Sequence, residues 1–344
     1  MSQLPLGAYR AIGQLYNGLM TGLVLTLISQ RGAELARQFI FGHFRRQHLE
    51  KFLPGLTKLK LDGLPDAVAC AQYHYFSNAL GGVKTEYIHE SDRKAWVRYP
   101  PPRWIWQGTA ICAIPRAVNE AMLHGWHGHN GVSLNNPRLG FVCTGQTVTG
   151  QPGLEGYYCE YDRPLAEDER VRFAYGEIAP PFDASAAPKL DSDAWPEERL
   201  QRTFRSYAME YVRSMLPTML ALVGEADTEA LLGHAGRLIG LQFYDQVAGE
   251  LKMRGNGPED FARLLCDLLA AQGESVEISR GGSTIAVEQR GWRLMQGLPQ
   301  PDGACRAWAA VFGGLAASHN RHMPFALELV NSPGVNPVFT WRIG

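Results

Sequence analysis

The chain has almost no net charge, and its cysteines show no regular spacing. Its 344 residues carry 33 Lys and Arg against 34 Asp and Glu, a formal net charge of −1. Without a basic excess, it offers no surface for the phosphate attraction that dominates nucleic-acid binding. The six cysteines are scattered and form no CxxC pair, which favours reduced thiols over a zinc ribbon or disulfide framework. We therefore expect a cytoplasmic protein with no nucleic-acid partner.

Long apolar runs and nucleotide-binding motifs are also missing. The most apolar stretch, residues 15–28, is too short and too interrupted to span a bilayer, and no small-residue cleavage site follows it. It predicts a buried or interface helix in a protein without a membrane partner. The sequence has no Walker motif, GxSxG elbow or dinucleotide fingerprint, so we expect no cofactor.

Composition indicates a globular chain of about two domains, with 45% hydrophobic and 19% charged residues. Residues 179–196 are rich in Pro, Ala, Asp and Ser, which disfavours a long helix or a central strand. We predict a first repeat over residues 1–163, a Pro-rich linker over 164–199 and a second, divergent repeat over 200–344.

The evidence for a repeat is the order of elements on either side of the linker. Each half reads as three helices, two strands, a helix and two strands. The matched stretches are Gly32 with Gln38-Phe39 against Gly236 with Gln242-Phe243, and residues 64–69 against 257–262. This order predicts an α+β fold in which each repeat packs its helices on one face of an antiparallel sheet. Two such copies would form a pseudo-dimer, and whether whole chains then pair as homodimers stays open.

The closing strand of the first copy, residues 156–161, reads GYYCEY and places a cysteine between aromatic residues. The second copy closes with VFTWRI at residues 338–343, without the cysteine. With its order of elements, this strand resembles the family of L-2-amino-thiazoline-4-carboxylic acid hydrolase-like proteins. The resemblance implies a hydrolase that opens or hydrates a C–N bond in a cyclic amidine or another small carboxylated or aromatic heterocycle.

Histidine is concentrated in residues 124–131, HGWHGHNG. If a helix continues through Trp126, His124 and His127 lie on one face at i, i+3. Imidazoles in this arrangement suit acid–base work near neutral pH, and either His124 or His127 is our candidate general base. With His129, three imidazoles could instead bind a metal, but no acidic residue joins them and the spacing matches no established zinc signature. We expect no metal, and whether one binds at this cluster stays open.

The repeat comparison divides these histidines. His124 and His127 align with Gly314 and Ala317, so they are specific to the first copy, which we expect to carry the active site. The pair His129-Asn130 recurs as His319-Asn320. Recurrence favours a helix-terminal hydrogen-bonding role, although His129, Asn130 and Trp126 are also candidate substrate-binding residues.

A Pro-rich aromatic run follows the second strand, with three consecutive prolines between Arg98 and Arg103 and then Trp104 and Trp106. Flat aromatic surfaces suit the wall of a pocket for a small planar ligand. Arg98 or Arg103 would grip a ligand carboxylate through two parallel hydrogen bonds. The alternative is an aromatic connection packed on the sheet.

Alternation along the closing strand puts Tyr158 and Glu160 on one face. Glu160 is our candidate general acid or orienting group, and Tyr158 a candidate substrate contact. Cys143 on the partner strand is a candidate nucleophile, although a small buried apolar role is favoured for it.

Two other functions use the same residues. One is a non-enzymatic binding or sensor protein, because an aromatic cage needs only shape and a few polar anchors. The other is a lyase or isomerase acting on an aromatic catabolic intermediate.

Overall fold

A computed structural model describes residues 5–101, 108–190, 195–282, 284–331 and 336–344. The chain divides into two compact units. The central unit is Leu27–Pro196, and the terminal unit combines Met1–Thr26 with Glu197–Gly344. The division falls within the first helix, so most of that helix belongs with the second half of the chain.

The first half of the chain builds a five-stranded sheet with the order β1-β2-β4-β3-β5. Its elements are α1 (Leu6–Arg31), α2 (Ala33–Lys58), α3 (Asp66–Leu80), β1 (Glu86–Ser91), β2 (Lys94–Tyr99), α4 (Arg116–Gly125), α5 (Asn130–Ser133), β3 (Leu139–Gly145), β4 (Leu154–Glu160) and β5 (Val171–Phe173). The first four strands pair antiparallel, whereas β5 pairs parallel to β3. Part of the expected linker, 164–199, therefore supplies a strand to the sheet.

The second half builds a four-stranded antiparallel sheet with the order β6-β7-β9-β8. Its elements are α6 (Glu197–Glu250), α7 (Pro258–Ala271), β6 (Val276–Gly281), β7 (Thr284–Arg290), α8 (Asp302–His319), β8 (Phe325–Val330) and β9 (Val338–Ile343). This strand order matches that of the first four strands, β1-β2-β4-β3. The expected mixed α+β fold is confirmed.

Each half of the chain has a glycine with positive φ that divides a long helical stretch. Gly32 separates α1 from α2 with φ 89°, and Gly224 interrupts α6 with φ 76°. Glycine adopts this conformation without the penalty that a Cβ imposes. Gly236, which the sequence matches to Gly32, lies within regular helix and packs closely against Val311 of α8, so the two glycines differ in backbone conformation.

The apolar N-terminal stretch forms the buried helix that its sequence predicts. Helix α1 is long and apolar enough to cross a membrane by length and composition alone, but 67% of its most apolar window is buried. Its glycines allow close packing: a Cβ at Gly18 would lie 2.7 Å from the Phe243 ring, and one at Gly22 would lie 2.8 Å from Ile239. This helix thus behaves as a core element of the terminal unit.

Strand alternation gives the central sheet two different faces. Tyr158 of β4 stands beside Ala95 of β2 and Phe141 of β3 on the face that meets the helices. Its neighbour Tyr157 points to the opposite face and packs with Trp96 in a small separate core. The sheet therefore directs the Tyr158 hydroxyl toward α3 and the turn after α4.

Candidate functional site

The central unit gathers three buried histidines and one partly buried histidine around one tyrosine. We call this group the His/Tyr cluster: His48 of α2, His74 of α3, His127 and His129 of a 3-10 turn after α4, and Tyr158 of β4. The exposed fractions are 1% for His48, 5% for His74, 5% for His127 and 0% for Tyr158. Buried polar groups in this number require either structural partners or a function.

Tyr158 lies at the centre of the hydrogen bonding. Its hydroxyl accepts a hydrogen bond from Asn130 Nδ2 at 2.9 Å and lies 2.6 Å from His127 Nδ1. Burial holds the pKa of Tyr158 well above its usual value, so the phenol stays protonated at neutral pH. The neutral phenol therefore fixes the orientation of the His127 ring.

The histidine rings stack on one another and on aromatic neighbours. His74 lies parallel to His127 with 4.2 Å between ring centroids, and His127 lies 4.3 Å from the Phe141 ring. Burial lowers the pKa of His74, and likewise that of His48, to about 3. Both imidazoles are thus neutral at physiological pH, with one nitrogen able to donate and the other able to accept.

Four buried nitrogens around this cluster have no hydrogen-bond partner in the described part of the chain: His48 Nδ1, His74 Nε2, Trp126 Nε1 and His129 Nδ1. The Trp126 ring stacks on Tyr73 at 6.2 Å and lies edge-on to His48 at 5.5 Å. The rings of His48 and His129 are 5.2 Å apart. A buried unpaired donor or acceptor costs about 1–3 kcal/mol, so a molecule that satisfied several of them would bind favourably here.

His124 and His127 do not share the helix face that their spacing predicts. Helix α4 ends at Gly125, where a Cβ would lie 2.8 Å from the Phe41 carbonyl oxygen, and a 3-10 turn begins at His127. His127 enters the cluster, whereas the half-buried His124 lies 6.3 Å from the Phe173 ring. Burial lowers the pKa of His124 as well.

Arg98 does not belong with these histidines. It lies across the strands between Glu86, at 2.5 Å, and Glu155, at 3.5 Å. Glu155 and Tyr158 are three residues apart in β4, and strand residues an odd number apart point to opposite faces. The ion-paired group therefore lies on the sheet face opposite the cluster. The expected binding of a ligand carboxylate by Arg98 is not favoured, because its guanidinium is already ion-paired with Glu86 and Glu155.

Glu160 shares the face of Tyr158, as the alternation predicts, but its carboxylate is ion-paired with Arg138 and accepts a hydrogen bond from Asn136 Nδ2 at 3.3 Å. Because Arg138 and Asn136 already engage this carboxylate, the general-acid role expected of Glu160 is not favoured.

Cys143 is fully buried, and its thiol donates to the Gly145 carbonyl at 3.4 Å. Burial raises the pKa of this thiol to about 12, which disfavours the thiolate that a nucleophile requires. The small buried role is the one that fits. Arg103, Trp104 and Trp106 lie outside the described residues.

The sequence interpretation missed His48 and His74, which lie on separate helices far from residues 124–131. One signal was available: seven of the ten histidines lie within residues 43–129. Among the described residues, no group of three or more His, Cys, Asp or Glu side chains is arranged to hold a metal ion.

The comparisons with known proteins add no relative: no family model, no curated protein and no solved structure matches the chain.

Proposed function

We propose that the chain is an internal duplication forming a pseudo-dimer, and that the central unit is its active half. The shared strand order of the two sheets supports the duplication. In the alignment of the two halves, Ala317 stands opposite His127, so the imidazole of the central unit has an apolar counterpart in the other copy.

The activity that we propose is hydrolysis: addition of water to, or opening of, a C–N bond in a small carboxylated or aromatic heterocycle. The observation that carries it is the buried contact of 2.6 Å between His127 Nδ1 and the Tyr158 hydroxyl. With the proton on Nδ1, His127 donates to Tyr158, and Nε2 of the same ring serves as the general base. Asn130 supports the same tyrosine oxygen.

In this reaction His127 Nε2 takes a proton from the attacking water, the water oxygen bonds to the ring carbon, and the C–N bond breaks. The proton then passes to the departing nitrogen. Tyr158 is a positioning residue that holds the orientation of the imidazole ring, and the stacked His74 fixes its face. We assign the ion-paired Glu160 no proton transfer.

The burial of the cluster favours a second function, non-enzymatic binding of the same class of ligand. A lyase or isomerase would use the same residues, and its product would not gain the mass of water.

The test is to incubate the protein with a panel of carboxylated and aromatic heterocycles and to follow thermal stabilisation and product mass together. We expect at least one compound to gain the mass of one water. The His127→Gln variant should lose about 100-fold or more in rate, the usual contribution of a general base. His89→Gln, at a histidine with a side chain 51% exposed, is the matched control and should keep full activity. Stabilisation without product would favour binding, and product without added water would favour a lyase or isomerase.

A further inference from the structure

The unpartnered nitrogens of the His/Tyr cluster restrict the chemistry of a ligand. The indole Nε1 of Trp126 is only a donor, so the group that satisfies it must be an acceptor. His48 Nδ1 and His129 Nδ1 donate as well when their rings carry the proton there. His48 is 99% buried, and its other nitrogen already contacts Ser133 Oγ at 2.9 Å. The rings of Trp126 and His129 lie 5.5 and 5.2 Å from the His48 ring, and three potential donors on neighbouring rings suit a group with two or more acceptor oxygens.

The charge around these nitrogens favours an anion. The half-buried Arg45 donates to the backbone oxygens of His124 and Gly125, at 3.0 and 2.9 Å, and contributes positive charge near His48 and His129. The charged and titratable groups that act on His48 and His129 from the surrounding elements are Arg45, His74, Arg170 and Glu167. Two arginines against one glutamate leave the site electropositive.

We propose that His48, Trp126 and His129 bind the carboxylate of a small planar acid, and that the site takes up one proton from solvent when the acid binds. The inference rests on the proposed function in identifying this acid with the substrate. The three residues would bind the ligand carboxylate that Arg98 was expected to bind.

The proton balance follows from the neutral state of the free site. A carboxylate beside a buried neutral imidazole favours the imidazolium form. One proton therefore moves from the buffer to His48 or His129 as the anion enters, and it returns to the buffer when the anion leaves. No bond in the ligand is broken in this step.

Isothermal titration calorimetry tests this directly, with acetate, benzoate and nicotinate as probes and nicotinamide as the uncharged counterpart of nicotinate. Titrations at pH 7 in Bis-Tris and in Tris, two cationic buffers whose ionisation enthalpies differ, give the number of protons taken up. We expect nicotinate to bind at least tenfold more tightly than nicotinamide, with uptake of up to one proton for each nicotinate.

Trp126→Phe separates a binding role from a structural one. The substitution keeps an aromatic ring but removes an N–H that has no partner in the described residues. We expect the thermal midpoint to stay near that of the wild type while affinity for nicotinate falls about tenfold or more, the effect of losing one hydrogen bond to a charged group. His129→Gln should reduce the proton uptake, and His89→Gln should change neither quantity.

Equal affinity for nicotinate and nicotinamide, unchanged nicotinate affinity in Trp126→Phe, or no binding of any of the three carboxylates would overturn the inference. Carboxylate binding without turnover of any heterocycle would refute the proposed hydrolysis and leave the anion site intact. Turnover that depends neither on Trp126 nor on a ligand carboxylate would refute the anion site and leave the proposed hydrolysis intact.

Discussion

Replacing Tyr158 with Phe should destabilise the central unit far more than the same change one residue earlier. The Tyr158 hydroxyl is fully buried and contacts Asn130 Nδ2 at 2.9 Å and His127 Nδ1 at 2.6 Å. Its removal weakens the hydrogen bonding of two buried groups, each worth about 1–3 kcal/mol, and we expect a total loss of about 2–4 kcal/mol after relaxation. Tyr157→Phe removes a hydroxyl that donates to the exposed Glu177 at 3.1 Å, and should cost about 0.5–1.5 kcal/mol.

The assay is urea unfolding at pH 7, followed by far-UV circular dichroism and by tryptophan fluorescence. The free-energy difference comes from the shift in midpoint at a common slope, provided that the slope itself does not change. The two variants are well matched because they remove the same atom from adjacent residues of β4. Equal midpoints for Tyr158→Phe and Tyr157→Phe would refute the hydrogen-bonded arrangement of the His/Tyr cluster.

Three further predictions follow from burial and packing. Since the pKa values of His48 and His74 are lowered to about 3, their stabilising contribution is complete above the unfolded value near 6.5 and is lost as the pH falls toward 3. Each histidine adds up to about 1.4 kcal/mol per pH unit to the slope of unfolding free energy against pH. His74→Gln should therefore flatten that slope in urea titrations between pH 6 and 4. An unchanged slope would contradict the lowered pKa of His74. Cys143→Ala should retain turnover in the mass assay, whereas loss of activity with an unchanged melting temperature would restore the nucleophile. Gly240→Ala should lower the free energy of unfolding in urea by about 1–3 kcal/mol, because its Cβ would collide with the Val311 carbonyl. Gly249→Ala, with open space around the new Cβ, should be neutral or stabilising. Equal effects of the two substitutions would contradict the close packing of α6 on α8.

The sequence predicts most of the local structure because each element carries its own pattern. The apolar periodicity of residues 15–28, the strand pairs and the closing strand at 156–161 all identify elements that the structure contains. The match of Gly32 with Gly236 rests on residue identity alone, whereas the positive φ of Gly32 is absent at Gly236 and is found at Gly224. Residues with positive φ cannot be identified from neighbouring letters alone.

The composition of the site was harder to predict, because it depends on tertiary contacts. His48 and His74 come from two helices separated along the chain, and no local spacing connects them to residues 124–131. The end of α4 at Gly125 depends on how closely Phe41 approaches, and that end decides which histidine enters the cluster. Alternation correctly placed Tyr158 and Glu160 on one face, but it could not show that Arg138 already pairs with Glu160.

The most direct test of the account is turnover of the heterocycle panel in water enriched in oxygen-18, with the products weighed by mass spectrometry. We predict that the wild-type protein inserts one labelled oxygen into a carboxylated heterocycle, and that Tyr158→Phe and His127→Gln do so at least about 100-fold more slowly. The absence of labelled product from every compound, or equal rates in the wild type and both variants, would contradict the claim that this buried pair carries out the chemistry.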